Sequence, residues 1–257
     1  MTKQGRYGRF ALADGTTAYA RVEGDVLVLL AAAPWHGEQE TGRSVARAEA
    51  RPLCPVKPNK ILCIGRNYGA HAKEMGAEVP KIPLLFLKPP SSLLAPGGTV
   101  LLPPESERVE HEAELGVVIG RGGKRIPVER AMDHVFGYTA VGDVTARDLQ
   151  RADGQWSRAK GFDTFCPVGP EVVTGLDPSA LRVVGRVNGD VRQDGNTRDM
   201  MFDVAHLVSH LSQAMTLEPG DLIATGTPSG VGPLVDGDRF EVEIEGVGVL
   251  VVTVRKE

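Results

Sequence analysis

Short apolar runs separated by turn residues recur along the chain, the pattern of a protein built mainly from strands. Residues 9–13, 17–22 and 26–30 are three such runs, divided by Asp14-Gly15 and Glu23-Gly24-Asp25. The polar stretch 37–51 leaves room for one short helix, and Pro52, Pro55 and Pro58 mark a stiff linker. Residues 61–64 read as a buried strand, and 67–75 as a helix ended by Gly76. Residues 80–104 are Pro-rich and are expected to wind over the surface, with Leu84-Leu85-Phe86-Leu87 the one apolar piece. A strong strand follows at 109–119, a short helix at 128–135, a strand at 138–141 and a helical turn at 146–151. Residues 181–187 and 191–193 flank Asn188-Gly189, a strong hairpin signal. The clearest helix is 203–215: Val204, Leu207, Val208, Leu211 and Met215 share a face, and Asp203 is a good N-cap. Strands at 222–225, 240–244 and 247–254 complete the chain, the last two joined at Glu245-Gly246.

At 257 residues the chain can bury a substantial core. Its 42% hydrophobic and 24% charged residues exclude a disordered or fibrous protein. With 31 glycines, 18 prolines and few aromatics, it reads as a turn-rich, mainly β protein. A net charge of −4 argues against a nucleic-acid surface. The longest apolar run, 26–33, falls far short of the ~20 residues of a membrane helix, and no signal-type segment is expected. Cys54, Cys63 and Cys166 are odd in number and lack CxxC spacing, which suits reduced, buried thiols in a cytoplasmic protein.

Candidate chemistry begins at 109–119, where strand alternation puts Glu110, Glu112 and Glu114 on one face. If they are even partly buried, they need a positive partner, and a hard divalent cation is the simplest. A solvated edge strand would show the same acids. Asp143 falls where the strand 138–141 ends, as a further carboxylate or as a helix cap; Asp148 is expected to pair with a neighbouring Arg. His71 and Glu74, at i and i+3, suit either a carboxylate-oriented general base or a surface pair. Lys160 stands out by no spacing of its own. The glycine-dense loop 226–232 can aim N–H groups at an anion or be a plain connection. No P-loop, strand–GxGxxG–helix or GxSxG elbow is present, which disfavours nucleotide cofactors and an α/β-type serine hydrolase.

Seven motifs in order resemble the fumarylacetoacetate hydrolase superfamily in its short bacterial form. They are Gly-Arg-Asn-Tyr-x-x-His-x-x-Glu at 65–74, Phe-Leu-Lys-Pro at 86–89 and Glu-x-Glu-Leu-x-Val-Val-Ile-Gly at 112–120. Gly-Tyr-Thr with Asp-Val-Thr-Ala-Arg-Asp-Leu-Gln at 137–150, Ala-Lys-Gly-Phe-Asp at 159–163, Val-Asn-Gly at 187–189 and Thr-Gly-Thr-Pro-x-Gly-Val-Gly at 225–232 follow. The resemblance implies a mixed β-sandwich roll over residues 58–257, a small N-terminal α/β domain over 1–57, and a homodimer. It implies one Mg²⁺ or Mn²⁺ per subunit on Glu112, Glu114 and Asp143, with Glu110 outside the ligand set, either behind the ligands or facing solvent. His71 and Glu74 match a lid dyad and Lys160 a lysine beside the metal, while Arg66, Gln150 and Thr227 match pocket-lining positions. Many relatives have Asn before the metal aspartate, where this chain has Gly142.

The implied substrate is a 2-oxo acid. With a β-diketo acid, His71 and Glu74 would activate water for acylpyruvate- or fumarylpyruvate-type C–C hydrolysis, the exit that the dyad favours. Decarboxylation of an oxaloacetate-like acid and isomerisation of 2-hydroxyhepta-2,4-diene-1,7-dioate are alternative exits from the same site. A catalytically silent binding relative is the remaining alternative. It would be expected to have lost some of His71, Glu74 and Lys160, and all three are present.

Overall fold

The structure is a computed structural model that describes residues 4–257. Among the described residues the fold is mainly β. A 12-stranded sheet runs, in spatial order, Glu40–Ala46, Val26–Leu30, Thr17–Glu23, Arg6–Ala11, Cys166–Val173, Val135–Gly142, Ala113–Ile119, Leu222–Ala224, Ile61–Gly65 and Leu84–Lys88, with Arg51–Leu53 and Leu93–Leu94 off this path. A five-stranded sheet runs Asp190–Asn196, Arg182–Val187, Arg239–Ile244, Gly248–Lys256 and Thr99–Leu102. No helix among the described residues is long and apolar enough to cross a membrane.

The centre of the molecule is Ala113–Ile119, where the period of two divides the side chains. Ala113, Leu115, Val117 and Ile119 enter the main core with Val183, Phe240, Val242 and Val252 from the smaller sheet. Glu114, Gly116 and Val118 face the other way. The helix Val204–Ala214 adds Leu207, Val208 and Leu211 to the main core. Burying each leucine contributes about 1.5–3 kcal/mol. Asp203 caps the helix by accepting the N–H of His206 at 2.9 Å. Asn188 and Gly189 have φ of 55° and 88°, as a tight hairpin turn requires.

Four expectations are corrected. The helix allowed for in 37–51 is a strand, Glu40–Ala46, flanked by the single 3-10 turns Pro34–His36 and Arg47–Glu49. It lies at the sheet edge, so its side chains stay largely exposed and polar, which hides the strand period and protects the edge. The expected linker is held down: Arg51–Leu53 pairs with Arg6–Ala11, and Cys54 and Val56 are buried. The Pro-rich 80–104 contains three strands, one of which, Thr99–Leu102, pairs in parallel with Gly248–Lys256. The expected single strand 109–119 breaks at Glu112 into Val109–His111 and Ala113–Ile119. The first strand, Arg6–Ala11, pairs with Cys166–Val173, so the N-terminal strands extend the main sheet.

A Cβ at Gly116 would lie 2.6 Å from Val141 Cγ2 and 2.8 Å from Thr139 Cγ2, inside the close-packed centre. Gly116→Ala should cost about 1–3 kcal/mol, a fall of several degrees in the thermal unfolding midpoint. An unchanged midpoint would contradict this packing.

Candidate metal centre

The break at Glu112 builds the site. Before it, Val109–His111 leaves the large sheet and pairs with Thr145–Ala146 and Gly232–Pro233. After it, Ala113 pairs with Gly142, so Asp143 follows directly, and Asp143 N–H donates to the Glu112 carbonyl at 2.9 Å. Glu112, Glu114 and Asp143, all buried, each bring one carboxylate oxygen within 4.8 Å of the others.

Charge balance inside this cluster is uneven. Glu112 accepts from Arg147 Nη2 at 2.5 Å and Lys160 Nζ at 2.8 Å. Asp143 accepts from Lys88 Nζ at 2.7 Å and Lys160 Nζ at 2.6 Å. Among the described residues Glu114 touches no cation, and its one hydrogen bond is from Gly226 N–H, at 2.8 Å. Burial alone would raise the Glu112 carboxyl, but Lys160 and Arg147 outweigh it and hold the group well below the usual carboxylate range. Burial, then Asp143 and Glu112, push the Glu114 carboxyl well above its ordinary value. Burial would lower the Lys160 ammonium, but Asp143 and Glu112 more than offset it and raise it. Tyr68 Oη is buried without a partner, its phenol raised by burial and then by the Glu114 charge.

Three convergent carboxylates, one of them with no positive partner, fit one hard divalent cation such as Mg²⁺ or Mn²⁺. Glu110 lies behind the ligands and is buried, held by Arg147 at 2.6 Å and Arg108 at 2.6 Å. It is not solvent-facing. Asp148 does not pair with an Arg: it accepts from Ser106 Oγ at 2.6 Å and Glu107 N–H at 2.9 Å.

Glu112 and Glu114 open into a cavity of about 310 Å³ that His71, Lys160 and Thr227 also line. His71 Nδ1 lies 3.0 Å from Glu74 Oε2, and Glu74 Oε1 accepts from Gly230 N–H at 2.9 Å. The helix Gly69–Glu74 is therefore docked on the glycine-rich loop, with the His71 Nε2 side left for the cavity. Gln150 Oε1 accepts from Arg147 at 2.6 Å, which leaves its amide N–H groups available. Arg66 sits in left-handed backbone, φ 57°, with its guanidinium 5.7 Å from the Trp156 ring centroid. The structure thus brings Arg66, His71, Glu112, Glu114, Gln150, Lys160 and Thr227 to one cavity, with Glu74 and Asp143 directly behind it. Sequence reasoning missed Lys88 and Arg147. The signal was a count: buried acids need cations, and both residues stand in quoted motifs.

Glu114→Gln should raise the unfolding midpoint of the metal-free protein, because it replaces a buried carboxyl, costly to hold there either ionised or protonated, with a neutral amide that keeps an oxygen for Gly226. A gain of about 1 kcal/mol corresponds to roughly 2–4 °C. The variant should also lose the stabilisation that Mg²⁺ or Mn²⁺ gives the parent. A lowered metal-free midpoint, or an undiminished response to the cation, would count against this electrostatic account.

Comparison with known proteins agrees with the geometry. Residues 60–255 match the family model "Fumarylacetoacetate (FAA) hydrolase C-terminal", and 6–55 match "Rv2993c-like, N-terminal". The mitochondrial oxaloacetate tautomerase FAHD2A of Homo sapiens is 47% identical over 80% of this chain and 69% of its own length. The solved 2-hydroxyhepta-2,4-diene-1,7-dioate isomerase of Mycobacterium marinum superposes with a TM-score of 0.91 at 42% identity, covering 98% of this chain and 99% of its own. The fumarylacetoacetate hydrolase of Exiguobacterium antarcticum gives a TM-score of 0.84 at 34% identity, covering 98% and 100%. Enzymes of this kind typically use a divalent metal, and the buried Glu112, Glu114 and Asp143 supply a matching ligand set. The chain belongs to the fumarylacetoacetate hydrolase family.

Proposed function

We propose that the protein is a divalent-cation-dependent enzyme that moves a proton at the carbon beside the carbonyl of a 2-oxo dicarboxylic acid, interconverting keto and enol forms. The observation that carries this is one cavity lined both by Glu112 and Glu114 of the three-carboxylate cluster and by the imidazole of the His71–Glu74 pair. Glu112, Glu114 and Asp143 would hold Mg²⁺ or Mn²⁺. The cation would supply a Lewis acid for the 1-carboxylate and 2-oxo oxygens.

The chain's own groups then divide the work. Glu74 orients the imidazole through Nδ1, so Nε2 is the atom that takes the proton from C3 and delivers it to the 2-oxygen to complete the enol. The electron pair of that C–H bond becomes the C2–C3 double bond, and the carbonyl π pair moves to the 2-oxygen as negative charge. Lys160 carries positive charge at the cavity floor and balances it. Arg66 and Arg151 line the cavity and have no carboxylate partner among the described residues, which suits a second carboxylate on the substrate. Of the three relatives described, those named for tautomerisation and isomerisation share 47% and 42% identity, and the one named as a hydrolase 34%.

C–C hydrolysis of a β-diketo acid is the second reading. It is favoured by the docked dyad, since a carboxylate-oriented imidazole also activates water. Decarboxylation of an oxaloacetate-like acid would use the same electron movement, with CO₂ leaving in place of a proton.

Oxaloacetate, a 2-hydroxy-dienedioate and acetylpyruvate, offered to the metal-loaded protein, separate these readings. Keto–enol turnover of a dicarboxylate, lowered about 10²–10⁴-fold by His71→Asn with Mn²⁺ binding retained, is the expected result. Cleavage of acetylpyruvate alone would transfer the assignment to hydrolysis. Full turnover in His71→Asn would remove the imidazole from the mechanism.

A further inference from the structure

Gln193 lies on the strand Asp190–Asn196 of the smaller sheet, fully buried and outside the cavity lining. Its amide makes four hydrogen bonds. Oε1 accepts from Ala113 N–H at 3.0 Å and from His111 Nδ1 at 3.0 Å. Nε2 donates to Thr227 Oγ1 at 2.6 Å and to the Pro228 carbonyl at 2.8 Å. Because Oε1 can only accept, the His111 proton sits on Nδ1. Every hydrogen-bonding position of this buried amide is therefore used, and each partner belongs to the site or its frame.

Those partners are specific. Ala113 is the residue between Glu112 and Glu114, so the Oε1 arm grips the ligand strand at its break. Thr227 and Pro228 belong to the loop whose Gly226 N–H holds Glu114 and whose Gly230 N–H holds Glu74. Thr227 Oγ1 in turn donates to the Ala113 carbonyl at 2.9 Å, closing a ring of hydrogen bonds between strand, loop and hairpin. The backbone around it leaves little slack. A Cβ at Gly195 would lie 2.5 Å from Pro228 Cβ, and one at Gly185 would lie 2.8 Å from Gln193 Oε1. At Gly230, φ is +102° and a Cβ would collide with the Arg192 carbonyl oxygen.

We propose that Gln193 is a positioning residue for the site: its single amide sets the spacing between the strand carrying Glu112 and Glu114 and the loop that holds Glu114 and Glu74. This rests on the three-carboxylate cluster being a cation site. A hairpin of the second sheet thereby controls cation affinity without touching the cation or the substrate. The general expectation for groups that orient ligands from behind is a loss of about 10–100-fold in affinity when they are removed.

The test is Mn²⁺ titration calorimetry on metal-stripped protein, with unfolding midpoints measured alongside. Gln193→Met keeps the shape and removes all four hydrogen bonds, and should weaken Mn²⁺ binding about 10–100-fold. Gln193→Asn keeps the amide but draws it back by one methylene, and should weaken binding in the same direction by less; it also serves if Gln193→Met does not fold. Val187→Ala, in the partner strand of the same hairpin, should lower the midpoint and leave Mn²⁺ affinity unchanged. Parent-like affinity in a folded Gln193 variant overturns the proposal, as does an equal loss in Val187→Ala, which would reduce Gln193 to general stability. A parent that binds no Mn²⁺ shows instead that the cation-site reading is wrong, and the proposal falls with it.

Discussion

Three carboxylates buried within 4.8 Å of one another are the constraint on which this structure depends. Placing ionised acids away from water is expensive unless each is paired and hydrogen-bonded. The protein meets this for two of them with Lys88, Lys160 and Arg147, whose side chains are themselves buried. For Glu114, among the described residues, it supplies only a backbone N–H. The pairing is incomplete at one of the three, and a divalent cation would complete it.

The fold serves that arrangement. One face of Ala113–Ile119 goes to the main apolar core, which fixes the strand's register and turns Glu114 to the other side, into the carboxylate cluster. The break at Glu112 lets the chain leave one sheet for another, and it brings Asp143 beside Glu112 through a backbone hydrogen bond. The glycine-rich loop then does two tasks with N–H groups, holding Glu114 from Gly226 and Glu74 from Gly230. The carboxylate cluster and the His71–Glu74 pair are thus tied to a single loop, and that loop to the second sheet through Gln193.

Features written in local chemistry were legible in the sequence. Asn188-Gly189 announces its turn, and Asp203 with the apolar stripe behind it announces the helix. The alternation of Glu112 and Glu114 on an apolar strand points to a charged site inside the core, and the ordered motifs named its family. The missed parts depend on partners far away in the chain. Glu40–Ala46 is a strand because a neighbouring strand offers its edge, and its polar side chains show no buried face. Thr99–Leu102 is a strand because Gly248–Lys256 lies beside it. Lys88, Arg147 and Gln193 carry no spacing signal; only the three-dimensional need to balance acids and satisfy buried polar groups reveals them.

The most direct test of the central claim is a crystal structure of the protein with Mn²⁺, phased so that the metal's anomalous signal is located. The account predicts one strong peak coordinated by Glu112, Glu114 and Asp143, with Lys160 Nζ drawn away from at least one of the two carboxylates it now bridges. No peak at the three carboxylates, with Lys160 still bridging Glu112 and Asp143, would contradict it.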